Sequence, residues 1–89
     1  MNVEAVITVL RELSGWLAGS EMQIRVEQII DKLGQPDLSK FQLQQIKHEL
    51  SKEILFHPKC LGDIFIENFK GEAWWNYLCD VEEVCQRNL

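Results

Sequence analysis

Residues 20–34 read SEMQIRVEQIIDKLG. Met22, Val26, Ile29, Ile30 and Leu33 recur at three- and four-residue steps, which gathers them into one apolar stripe on a helix. Ser20 followed by Gln23 has the spacing of a capping box, in which hydroxyl and amide satisfy orphan backbone donors reciprocally. Lys32 complements the negative end of the helix dipole. Gly34 stands where a left-handed residue ends a helix. Pro36 cannot continue the helix and Asp37 suits the turn that follows.

The same grammar repeats on both sides. Toward the N-terminus, Val3, Val6, Ile7, Leu10, Leu13 and Leu17 share one helical face, and Asn2 is placed to cap it. That helix stops at Gly15 or Gly19. Toward the C-terminus, residues 38–55 read LSKFQLQQIKHELSKEIL, with Ser39 and Gln42 forming a second box. Leu43, Ile46, Leu50 and Ile54 form its stripe, supported by Leu55. Phe56 and His57 precede Pro58, which ends the helix there. A last helix runs from Glu72 to Arg87: Trp74, Leu78, Val81 and Cys85 keep one stripe, widened by Tyr77 and Val84. Glu72 and Arg87 each complement the dipole end nearest to them.

Between the third and fourth helices, residues 60–69 read CLGDIFIENF. Ile64, Phe65 and Ile66 favour extended structure, but nothing else in the chain offers a strand to pair with. The segment reads as an extended loop over the helices, or as a short strand that pairs with a second copy. The predicted fold is therefore all-α: one domain, residues 1–89, a compact four-helix bundle with an extended loop or short strand between helices three and four.

Composition narrows the function. The 89 residues hold 14 acids and 9 bases, for a net charge of −5. That balance disfavours nucleic acid, whose recognition needs Lys and Arg on phosphates, and it disfavours anionic membranes. No apolar run approaches the roughly 18 residues of a membrane span, and no signal segment opens the chain. Three cysteines, Cys60, Cys79 and Cys85, do not make a disulfide framework and read as thiols in a reducing cytoplasm.

Chemistry has few footholds. His57 and Cys60 have two residues between them, with Cys79 and Cys85 as further soft ligands for zinc. Cys79 and Cys85, however, point roughly 240° apart on one helix, at about 100° per residue. A Cys–His nucleophile drawn from Cys60 or Cys79 with His57 or His48 lacks the positive surroundings that lower a thiol pKa. Glu82 and Glu83 are helix neighbours and diverge. There is no glycine-rich phosphate loop and no basic recognition helix. No enzyme activity, cofactor or metal is expected, although a small Cys/His metal or thiol module stays open as an alternative.

The tryptophans are more informative. Trp74 and Trp75 are neighbours about 100° apart on a helix, so one stripe cannot centre both. Trp74 aligns with Leu78, Val81 and Cys85, toward the core. Trp75 aligns with Cys79, Glu82 and Gln86, at the boundary. Residues 59–89 also hold six acids, Asp63, Glu67, Glu72, Asp80, Glu82 and Glu83, against Lys59, Lys70 and Arg87. An acidic surface around an exposed aromatic suits a protein partner with a basic surface. The candidate partner-binding residues are Asp63, Glu67, Glu72, Trp75, Glu82 and Glu83.

The order of features resembles small all-helical bacterial proteins of the toxin-immunity type. The helix pair VLRELSGWLAGSEMQIRVEQIIDKL precedes a third helix and a Gly-Asp-centred apolar segment, CLGDIFIENF. The resemblance implies a stoichiometric inhibitor that binds a delivered toxin, often a nuclease with a basic active site. The functional expectation is a non-catalytic cytosolic binding protein. Its alternative is a structural homodimer subunit joined through residues 60–69.

Overall fold

Three of the four helices begin where their caps predict. In the computed structural model, which describes residues 2–55 and 72–89 apart from the side chain of Glu53, α1 spans Val3–Trp16, α2 Glu21–Leu33, α3 Lys40–His48 and α4 Ala73–Asn88. The Asn2 side chain accepts from the Ala5 N–H at 3.2 Å. Ser39 and Gln42 form the complete box: the Gln42 N–H donates to the Ser39 hydroxyl at 3.1 Å, and the Ser39 N–H to Gln42 Oε1 at 2.8 Å. Ser39→Ala is expected to cost about 1 kcal/mol, because a lost N-cap leaves a helical N–H without its acceptor. The check is the urea midpoint; an unchanged midpoint removes the cap from the stabilising set.

The α2 box closes differently from its prediction. Ser20 Oγ accepts from the Gln23 N–H at 3.2 Å, but Gln23 Oε1 accepts from the Gly19 N–H and its Nε2 donates to the Ser14 carbonyl, both at 3.2 Å. The glutamine thus reaches past its own cap and ties α2 to the end of α1. Ser14, buried in α1, adds a 2.6 Å hydrogen bond to Glu27 Oε1. Gly19 makes the corner at φ +85, a left-handed conformation that L side chains rarely adopt. Gly34 corrects the expectation of a left-handed end: its φ is −77 and ψ −6, and its N–H still donates back to Ile30. With right-handed geometry retained, the helix end needs no special residue at this point.

The third helix also departs from one regular α-helix. After His48 the chain continues as a π-helical segment, Glu49–Leu55. Bonding to the fifth residue back widens each turn. Leu50, Ile54 and Leu55 are all fully buried there, and Ser51 is buried beside them. The wider turn brings the consecutive Ile54 and Leu55 both inside.

The four helices close a ring. α1 packs on α2 and on α4, while the π-helical segment packs on α4 and α2. The Asn2 N–H donates to the Asn88 carbonyl at 3.2 Å, so the start of α1 meets the end of α4 and the two run antiparallel. The predicted stripes supply the core: Val6, Leu10 and Leu13 of α1, Val26 and Ile29 of α2, Leu43 and Ile46 of α3, and Leu78 and Val81 of α4. Among the described residues no helix is long and apolar enough to cross a membrane. The all-α bundle is thus as expected. The expected loop or strand at residues 60–69 lies outside the described residues.

Candidate functional site

α4 divides its two indoles. Trp74 is 5% exposed and stacks on Tyr77, ring centroids 5.6 Å apart at 30°. Trp75 is 47% exposed. The helical step forces the division: the buried stripe Trp74, Leu78, Val81 and Cys85 occupies about a sixth of the circumference, and Trp75 falls about 60° beyond its edge.

Glu72 occupies the N-cap position of α4 and is exposed; its side chain makes no cap hydrogen bond. Three residues on, Trp75 lies on the same side of the helix. Glu83, also exposed, pairs with Arg87 at 2.6 Å, one turn further. Glu82 behaves differently from its neighbour. It is half-buried, and its Oε1 accepts from Ser51 Oγ at 2.8 Å. One carboxylate oxygen of Glu82 is therefore engaged in joining α4 to the π-helical segment. Of the six candidate partner-binding residues, the bundle brings Glu72, Trp75, Glu82 and Glu83 onto one helix; Asp63 and Glu67 lie outside the described residues.

The thiols separate in the same way. Cys79 is exposed and Cys85 is buried, so α4 does not turn both to one side. Burial pushes the Cys85 thiol up to about 12, with the Glu82 charge adding to the shift. Such a thiol stays protonated and packs as a small hydrophobe. His57 and Cys60 lie outside the described residues. Among the described residues no group of three His, Cys, Asp or Glu side chains could hold a metal ion. On the opposite flank of α4, Tyr77 is half-buried with its hydroxyl oxygen inside. Burial raises its pKa above the usual tyrosine range, and the charge of Glu12 on α1 adds to this.

Reasoning from the sequence missed the Ser51–Glu82 link. Ser51 flanks the third stripe, and only the packing of the π-helical segment on α4 shows which residue it meets. It also missed that exposed Gln86 of α4 adjoins a groove lined by Lys47, His48 and Lys52. No protein family, curated protein or solved structure matches this chain.

Proposed function

We propose that the chain is a small, non-catalytic, cytoplasmic binding protein, an inhibitor of the bacterial immunity type, that holds a protein partner with a basic surface. The observation that carries this reading is the division of the indoles: Trp75 is 47% exposed beside a buried Trp74. A large aromatic held by a packed helix loses little freedom when it docks, which is why tryptophan is enriched among residues that dominate binding. Glu72 and Glu83 lie on the same outer side of α4, and a net charge of −5 steers a basic partner toward it. Asp63 and Glu67 extend the acidic set in the adjoining sequence. Glu82 contributes mainly by holding α4 against the π-helical segment.

Affinity capture from the native host tests this, comparing columns of the wild-type chain, Trp75→Ala and Glu72→Lys with Glu83→Lys. The specific partner is expected to be basic. Trp75→Ala should weaken its binding by about 30-fold, the size of a hot-spot truncation near 2 kcal/mol. The double charge reversal should mainly slow association and flatten its dependence on salt. Equal capture on all three columns rejects the α4 face.

A further inference from the structure

Lys40, Lys47, His48 and Lys52 follow one another along α3 and the π-helical segment, against the acids Glu49 and Glu53. The carboxylate of Glu49 among them is already answered from α2, by Arg25 at 3.7 Å and Lys32 at 3.6 Å. Helical steps set Phe41, Gln44, His48 and Lys52 along one outward ridge. Phe41, at 71% exposed, is the most exposed large apolar side chain among the described residues.

Grooves flank this ridge. One, a shallow depression of about 370 Å³, is lined by Phe41, Gln44, Gln45, His48 and Glu49, all on α3 and the start of the π-helical segment. On the α4 side one of about 210 Å³ is lined by Gln44, Lys47, His48, Ser51, Lys52 and Gln86. The nearest acid of α4, Glu82, spends one oxygen on Ser51. A protein of net charge −5 thus carries an apolar knob and a cationic groove on a single helix.

We infer that this ridge docks an acidic amphipathic helix of a partner protein, with apolar side chains over Phe41 and carboxylates toward Lys47 and Lys52. The length suits such an occupant: Phe41 to Lys52 spans roughly 15 Å, about three turns of helix. A nucleic acid fits less well. Its phosphates continue past the ridge onto acidic surface within a Debye length, and so few lysines release few counterions. The surface adjoins α4 at Gln86, but the residues that would make its contacts, Phe41, Lys47 and Lys52, lie on α3 and the π-helical segment.

The test uses the whole chain and a fluorescent peptide of repeated Leu-Glu-Glu-Leu units, about 15 residues long, read by polarisation. Its comparators are the same peptide with Lys for Glu, and an oligothymidylate of similar length. The Glu peptide is expected to bind and to weaken as salt rises. Lys47→Glu with Lys52→Glu should cost about tenfold or more in affinity, and Phe41→Ala about tenfold, with the helical circular dichroism retained. Glu4→Lys, exposed on α1, should change it less than about twofold. Four results overturn the inference: no binding of the Glu peptide, preference for the Lys peptide, preference for the oligonucleotide, or equal losses for Glu4→Lys and the double lysine reversal.

Discussion

Trp74→Ala should unfold much of the protein's margin of stability, whereas Trp75→Ala, one residue away, should leave it nearly intact. Trp74 is 5% exposed, lies in the stripe with Leu78, Val81 and Cys85, and stacks on Tyr77. Removing the indole leaves a cavity lined by side chains that close-packed helices cannot fully collapse around. Truncations of this kind cost about 3–5 kcal/mol. A small domain has a total margin of about 5–15 kcal/mol, so the loss would be a large part of it. Each kcal/mol lowers the melting temperature of a domain this size by about 4–8 °C. Trp75→Ala removes a half-exposed ring and should cost about 1 kcal/mol or less. Thermal melts of the two variants followed by circular dichroism decide the matter. Similar melting temperatures would mean that the two indoles share one environment, and the functional reading of Trp75 would fall with that.

Alkaline pH should weaken the fold in a window that begins near pH 9. Cys85 is 1% exposed, and its thiol is raised from an ordinary value near 9 to about 12 by burial and then by Glu82. Its pKa is higher in the folded state than in the unfolded chain, so the folded state favours the protonated thiol. That stability is fully present below pH 9 and is lost as pH rises toward 12. For Cys85 the slope is at most about 1.4 kcal/mol per pH unit. Tyr77, shifted in the same direction by burial and by Glu12, adds to the decline above its own ordinary value of 10. Urea midpoints should be level from pH 7 to about 8.5 and fall beyond it. Cys85→Ala should start lower at neutral pH and fall less steeply. A wild-type midpoint that stays level to pH 11, or a variant with the same slope, would exclude the buried thiol as the cause. Thiol labelling gives a parallel readout: exposed Cys79 should react at once and Cys85 only on unfolding.

Much of the bundle is legible one helix at a time. The stripes of α1, α2 and α4 are local patterns, and burial follows them because a helix with one apolar side has one stable way to face a core. The N-caps at Asn2, Ser20 and Ser39 are equally local, since each hydroxyl or amide meets a backbone N–H three residues away. The opposite fates of Trp74 and Trp75 come from the same arithmetic of about 100° per residue.

What no local pattern carries is the relation between helices. The second half of the Ser20 box is diverted because Ser14 of α1 offers a carbonyl to Gln23. The π-helical turns at Glu49–Leu55 appear where Ile54 and Leu55 must both be buried between α2 and α4. Ser51 meets Glu82 across 31 positions of sequence. Sequence alone determined which side of each helix is apolar, where three of the helices start and which indole turns inward, because those properties repeat within a few turns. Tertiary structure alone decided which charges are spent on neighbours and which face outward, because hydrogen bonds and ion pairs act over a few ångströms and depend on which helices lie side by side.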